Sequence, residues 1–548
     1  MKHKIIIFFL LTILAIQVIL SSKQKCAYYD EPFQISAGLY HLKYGDYKIE
    51  IQNPPLLRMI SALPLLFTKV TVRKEEKHSW TSFEKYAFGK EFLYKNNLTA
   101  DRILFLARLQ ILAISIFLGL IVFLWSSELS GDDKAGIFAL AFYCFSPNIL
   151  AHSGIAGTDL GVAFFIVLSL FLFRKYLKTP SIKNIIFTGI AVGLAFSSKF
   201  TAVLLIPVFI FFAVIKKPVI RSIFNVIVIF IISFIVIIAV YHGSAGLFFE
   251  GIKNVFGIVG QKGALTFLNG SYSSDGFRTY YILAFLIKST IPVIILTVIS
   301  VFAFKKIPAT NFDKIYILVP ILIFFGAASY SKTQIGLRYI LPVYPLLFIY
   351  FSGLYKSRFS FYTLRFTLYL LLFWHIFSSI KTYPHYLSYF NEITGGPKNG
   401  YKYLVDSNLD WGQDLKFLKK YLAGKNVNLI ECYFGQGDTK YEGIKSQHIL
   451  SQVSSDDVDY TKKDRTDLLA VSATYFQGLY IGQVDVFNWL KNKTPIANIG
   501  YSILIFDISD DEESHKKLGN IFLYGVKNPA AAKKEYDKAE YIRKHKNG

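Results

Sequence analysis

Residues 28–64 read YYDEPFQISAGLYHLKYGDYKIEIQNPPLLRMISALP. They follow an apolar run, residues 4–20, long enough to cross most of a bilayer, so the adjacent carboxylates Asp30 and Glu31 are expected where the chain leaves hydrocarbon for water. An acidic pair at that depth either marks the membrane border or supplies chemistry beside it, and the dipeptide alone does not separate the two. The rest of the chain does.

With 53% hydrophobic and 17% aromatic residues over 548 positions, the chain is too apolar for a string of soluble domains and reads as a polytopic membrane protein. Its formal net charge of +23 would suggest nucleic acid in a soluble chain. Here much of the Lys and Arg falls in short connections between apolar runs, where orientation in the membrane is the simpler cause, and no nucleic-acid partner is expected. Cys26, Cys144 and Cys432 make neither a metal spacing nor a disulfide framework.

No small-residue cleavage site follows the first run, which therefore reads as an uncleaved helix with its N-terminus in the cytoplasm. Residues 22–101 would then lie outside, with an interfacial piece over residues 54–67. Ten further apolar runs, near residues 103–125, 135–150, 160–173, 185–196, 201–215, 223–241, 280–304, 315–328, 339–354 and 364–380, bring the expected crossings to about eleven. Lys and Arg fall in alternate connections: Arg174, Lys175, Lys178 and Lys183; Lys216, Lys217 and Arg221; Lys305 and Lys306; Lys356, Arg358 and Arg365. All four land on the cytoplasmic side of that plan. The turn at Lys199 decides it, because fusing its two short flanking runs into one kinked helix would invert everything downstream.

The expected fold is an α-helical polytopic membrane module, residues 1–381, followed by a C-terminal external α/β domain, residues 382–548. Strand-like stretches near residues 428–434, 468–473 and 501–508 and a helical pattern over 410–422 support the second part. The last twenty residues are charged and helical or frayed. Residues 243–279, rich in Gly and Ser, read as a lid or a plain linker. Asn97, Asn269 and Asn492 each begin an N-glycosylation triplet, which matters only in a host with that pathway.

In this plan the ionisable residues in or beside the apolar runs gather on one face: Asp30, Glu31 and Asp159 with Arg58, Arg108, Lys199, Lys288 and Arg338. Lys288 is expected about seven residues into its helix, roughly 10 Å deep, where a cation costs on the order of 2.5–3.5 kcal/mol unless an anion meets it. Each Lys or Arg taken singly snorkels to the headgroups. As a set they suit a lipid phosphate with a reaction beside it.

The order of motifs resembles the lipid-carrier-dependent glycosyltransferases of the GT-C fold, the group containing the protein O-mannosyltransferases and the aminoarabinose transferases of lipid A. The resemblance is carried by YYDEPFQISAGLYHLKYGDY and NPPL, then GTDLGVAFF, GLAFSSKFTAVLLIP, AFLIKSTIP, IGLRYILPVYPLLF, and finally YPHYLSYFNEITGGPKNGYKYLVDSNLDWGQDLKFLK. It implies transfer of a sugar from a polyprenyl-phosphate carrier to an acceptor hydroxyl, on protein or glycolipid, at the outer face of a bacterial plasma membrane, with inversion. By motif, Asp30 matches the first acid of the loop and would be the general base, with Glu31 orienting the acceptor. Arg58, Lys199, Lys288 and Arg338 are the candidate partners of the carrier phosphate. Asp159 matches the second family acid, to hold one of these cations or a metal, or else caps its helix.

Many relatives carry a His shortly after the acidic pair and another before the Pro-Pro, where this chain has Phe33 or Gln34 and Asn53. Metal-independent transfer is therefore expected, with no further cofactor. In residues 406–414, DSNLDWGQD, a turn with Asn408 or Asp410 capping the next helix competes with Asp406, Asp410, Trp411 and Gln413 contacting sugar or acceptor. The competing class is a transporter or flippase of a lipid-linked or anionic solute, which would hold its charges near the bilayer midplane. A binding domain on an inert anchor would need one helix, not eleven.

Overall fold

Inside hydrocarbon every peptide group must be paired within its own segment, and each of the eleven apolar runs is helical in whole or in bent halves. The structure, a computed structural model, describes residues 2–75, 80–258, 263–357, 361–462 and 464–546. Arg358, expected in a cytoplasmic connection, lies outside the described residues.

In chain order the helices are α1 (Lys2–Lys23), α2 (Glu31–Tyr44), α3 (Leu56–Ala62), α4 (Ser82–Tyr94), α5 (Ala100–Ser130), α6 (Asp133–Cys144), α7 (Pro147–Ser153), α8 (Asp159–Lys178), α9 (Ile182–Phe196), α10 (Leu205–Ile215) and α11 (Val219–Val240). There follow α12 (Gly246–Lys253), α13 (Tyr280–Lys288), α14 (Ile291–Phe302), α15 (Asn311–Tyr330), α16 (Val343–Ser352) and α17 (Phe361–Thr382). Among the described residues α1, α5, α8, α11 and α15 are singly long and apolar enough to cross a membrane. Two further runs are bent pairs, α6 with α7 at 65° and α13 with α14 at 117°. The run 280–304, read as one straight helix, is thus broken just after Lys288, where Ser289 and Thr290 turn extended before Pro292.

Side-chain contacts fix the helix directions. Lys199, after α9, meets Asp159 at the start of α8. Phe209 of α10 stacks on Phe173 near the end of α8, at 3.8 Å between centroids. So α9 and α10 run in opposite senses, and the Lys199 turn is a reversal. At the α8 end away from Asp159, Arg174 and Lys178 hold Asp313 of α15 at 2.7 and 2.9 Å. These basic residues belong to the last turns of α8 rather than to a loop, because the helix runs five residues past its apolar stretch.

Helices α9 and α11 touch through glycine. A Cβ on Gly189 or Gly193 would lie 2.7 Å from Ile232 Cβ or 2.6 Å from Val236 Cβ, so two small residues one turn apart let the backbones close. The centre is filled by Trp125 of α5, wholly buried against Phe171 and Tyr316. Beside the bundle, α2, α3 and α4 pack on the start of α5 around a second core that includes Ile35, Leu39 and Ile103. Leu63, Leu66 and Phe67 follow α3 with their side chains exposed, the apolar edge expected of an interfacial segment.

The chain then forms α18 (Leu415–Leu422), a five-stranded mixed sheet, α19 (Glu512–Asn520) and α20 (Pro529–Lys546). The sheet comprises β3 (Val427–Cys432), β4 (Gln447–His448), β5 (Thr466–Ser472), β6 (Ala497–Ile499) and β7 (Ile503–Asp507), in the order β4-β3-β5-β7-β6. The three longer strands match the sequence pattern, while β4 and β6 are too short to show one. The helix begins at Leu415 rather than residue 410, and neither Asn408 nor Asp410 caps it: Asn408 Oδ1 accepts from Leu337 N and Asp410 Oδ2 from Thr474 N. A hairpin of β1 (Thr266–Leu268) and β2 (Ser271–Ser273) is fastened through Asn269 N to Tyr403 O and Tyr272 Oη to Gln477 O, so this part of the 243–279 connection is neither free lid nor plain linker.

Candidate active site

Four charges from distant parts of the chain meet at one end of the bundle. Asp30, between α1 and α2, accepts from Tyr86 Oη at 3.2 Å and faces Arg338 Nη1 at 3.5 Å. The same Nη1 lies 3.6 Å from Asp159 Oδ2, and Asp159 Oδ1 takes Lys199 Nζ at 2.5 Å. Asp159 is therefore not a helix cap: it opens α8 buried, matched by two cations.

The two carboxylates and two cations sum to zero formal charge. They are not equally spent. Arg338 makes only long contacts to carboxylate, and its Nε has no partner among the described residues, which leaves donors for a further anion. Burial raises the Asp30 carboxyl above the usual carboxylate range, Arg338 and the Tyr86 hydroxyl opposing it. Asp30 remains 29% exposed at its side chain, whereas Glu31 is 1% exposed.

That contrast separates the acidic pair. Glu31 takes Arg108 Nε at 2.8 Å and Nη2 at 2.6 Å, and also accepts from the backbone N–H of Tyr28 and Ala156. Every strong acceptor position is filled from within the protein, so Glu31 holds the loop and has nothing left for an acceptor. Lys288 is likewise engaged: its ammonium donates to Leu387 O, at 2.6 Å, and to Asn408 O, tying the end of α13 to those two later turns. Arg58 is buried on α3 and donates to Asn53 O, with Nε and Nη1 unpartnered among the described residues. Neither Lys288 nor Arg58 shares an ion pair with the Asp30 group.

The DSNLDWGQD stretch reaches the site from the other side. Trp411, 3% exposed, lays its ring 4.3 Å from the Arg338 guanidinium carbon and meets Tyr28 edge-on. Cys26 N donates to Gln413 O and Tyr29 N to Trp411 O, which zips the chain before Asp30 to this stretch. Asp406 accepts from Tyr480 Oη at 2.6 Å, and Gln413 accepts from Trp411 N while donating to Leu409 O and Asp414. All four residues suggested as sugar contacts are buried; of the four Trp411 lines the crevice at Asp30, while Asp406, Asp410 and Gln413 hold hydrogen bonds within the protein.

Burial drives the Asp410 carboxyl up to about 8, with Thr474 opposing, and its Oδ1 has no partner among the described residues. Burial also pushes on Asp414, but Lys25 at 2.6 Å and His385 hold it down at about 2. Tyr86, Trp411 as a cover for Arg338, and the Lys25–Asp414 pair were not legible in the sequence. A polar residue between two apolar ones is common, and only the folded chain shows which meet.

The space around Asp30, Asp159, Arg338 and Trp411 is a crevice of about 20 Å³, room for roughly one water. Beside it, Lys199 and Tyr339 stand at the polar end of a larger groove of about 590 Å³, whose walls are mostly apolar and include Phe200, Leu204, Val255 and Phe324.

Residues 96–242 match the family described as dolichyl-phosphate-mannose-protein mannosyltransferase. No curated protein matches the chain by sequence. Among solved structures, ArnT from Cupriavidus metallidurans bound to undecaprenyl phosphate is similar at 10% identity and a TM-score of 0.49, with 91% of this chain and 97% of that one covered. Its apo state gives 11% identity, a TM-score of 0.48 and the same coverage.

Proposed function

We propose that the protein is an integral membrane glycosyltransferase that moves a sugar from a polyprenyl-phosphate carrier to an acceptor hydroxyl at the outer face of a bacterial plasma membrane. The observation that carries this reading is the partly exposed carboxylate of Asp30 beside Arg338 in a small crevice, joined through Asp159 to Lys199 at the polar end of an apolar groove. A base, a phosphate clamp and a slot for a lipid tail are what such a transfer needs in one place. The matched family segment spans Arg108, Asp159 and Lys199.

In the proposed reaction Asp30 takes the acceptor's hydroxyl proton while the acceptor oxygen forms its bond to the anomeric carbon. The bond from that carbon to the phosphate oxygen breaks, its electron pair leaving with the lipid phosphate, and the anomeric centre inverts. Arg338 and Lys199 hold the departing charge. Because the four-residue cluster is neutral beforehand, the proton gained by Asp30 offsets the second negative charge that the phosphate acquires as the glycosidic bond breaks. Asp159 keeps both cations in place. Its match to those two cations supports transfer without a divalent metal.

A transporter would hold its charges at the bilayer midplane, and here they gather at one end of α1, α5 and α8. The test is purified protein with a polyprenyl-phosphate sugar and candidate acceptors. Release of free lipid phosphate with a glycosylated product supports the reading, and an Asp30→Asn variant that releases it at the wild-type rate removes the assigned base.

A further inference from the structure

A second polar cavity, of about 430 Å³, lies where the end of α1 and the start of α5 meet α18. It is lined by Lys23, Lys25, Arg102, Arg108 and Lys416 against a single acid, Asp101. Three of these cations are already matched: Lys25 by Asp414, Arg108 by Glu31 and Lys416 by Asp101, at 2.6 Å each. Lys23 and Arg102 have no carboxylate partner among the described residues, although Lys23 lies 5.2 Å from the Phe105 ring. Two unmatched cations in a cavity of headgroup size make an anion site, and a phosphate ester is the biological group of that charge and reach.

The surroundings select a lipid. Leu20 and Ile16 lie one and two turns below Lys23 on the same face of α1, 48% and 50% exposed, and form an outward apolar track leading up to the cavity. A phosphate headgroup in the cavity can lay its acyl chains along that track, whereas a soluble phosphate gains nothing from it. We propose that this cavity binds the phosphate headgroup of an anionic phospholipid, at a site separate from the groove beside Lys199. The proposal does not depend on the reaction assigned to Asp30.

Full-length protein in nanodiscs of phosphatidylcholine, with and without phosphatidylglycerol, tests it, alongside a Lys23→Gln/Arg102→Gln variant. Both residues are exposed and without a carboxylate partner, so the variant is expected to keep the wild-type melting temperature in phosphatidylcholine. Phosphatidylglycerol should raise the wild-type melting temperature by about 2–4 °C and the variant's by much less. Phosphatidylglycerol retained through purification, counted by mass spectrometry, should fall roughly tenfold in the variant. Equal protection and equal retention in both proteins would overturn the site. Protection of detergent-solubilised wild type by inorganic phosphate as strong as that by phosphatidylglycerol would keep the anion chemistry and overturn the lipid source.

Discussion

Trp411 packs its ring 4.3 Å from the guanidinium of Arg338, whose Nη1 faces both Asp30 and Asp159. The ring excludes water from a charge that must turn toward a phosphate, and cation–π contact at a desolvated site contributes about 1–2 kcal/mol. Trp411→Ala is expected to lower transfer about 5- to 30-fold at unchanged expression, and Trp411→Phe to restore most of it. Initial rates against carrier concentration check this. Equal rates in both variants would mean the ring does not hold Arg338.

Arg338 is also expected to set the working pH. Burial lifts the Asp30 carboxyl and Arg338 restrains it. A base must be ionised to act, so activity should fall as pH drops through the Asp30 value. Arg338→Gln removes the restraint and leaves Asp159 as a like-charged neighbour, so the acid limb of kcat/KM should move to higher pH as the maximum drops. A limb that stays put would separate Asp30 from Arg338. Arg338→Lys should recover little, since an ammonium lacks the further guanidinium donors, Nε among them, that remain for a phosphate.

Asp159 is buried and its partner Lys199 partly so, and removing one partner of a buried pair costs up to about 3–5 kcal/mol. Lys199→Met is expected to lower the melting temperature sharply, and Lys199→Met/Asp159→Asn to recover much of that loss without restoring activity. Thermal unfolding read beside lipid-phosphate release distinguishes a structural pair from one that also serves the chemistry.

Asp410 gives a separate pH signature. Its folded value, near 8, lies above that of an unfolded aspartate, so the folded protein binds the extra proton and stability falls as pH rises from about 4 to about 8. Asp410→Asn keeps an acceptor for Thr474 N and carries no charge. It should raise the melting temperature more at pH 8 than at pH 5. Parallel curves for wild type and variant would show that Asp410 does not titrate there.

Chelation completes the set. Asp30 and Asp159 are matched by Arg338 and Lys199, so EDTA is expected to leave the transfer rate within about twofold of its untreated value. A rate that collapses with EDTA and returns with a divalent cation would contradict that assignment.

Much of this was legible in the sequence because hydropathy reports on helices directly: the apolar runs became helices, and Asp30, Asp159, Lys199 and Arg338 came to one end of the bundle. What the sequence hid were partners. Glu31 and Lys288 resemble site residues because each puts a charge beside an apolar run. Only the fold shows one bound to Arg108 and the other to the backbone carbonyls of Leu387 and Asn408. In the DSNLDWGQD stretch a capped turn and contacts to sugar or acceptor competed, and polar density alone does not distinguish a binding surface from an internal joint. The small strands β4 and β6 are too short for any periodicity to register.

The short backbone zipper between residues 26–29 and 411–413 joins two stretches far apart in sequence. Asp30 is made before Arg338 and Trp411, and it acquires the cation and its aromatic cover only once both have followed it off the ribosome. A chain cut short before residue 411 therefore carries the acid without its setting.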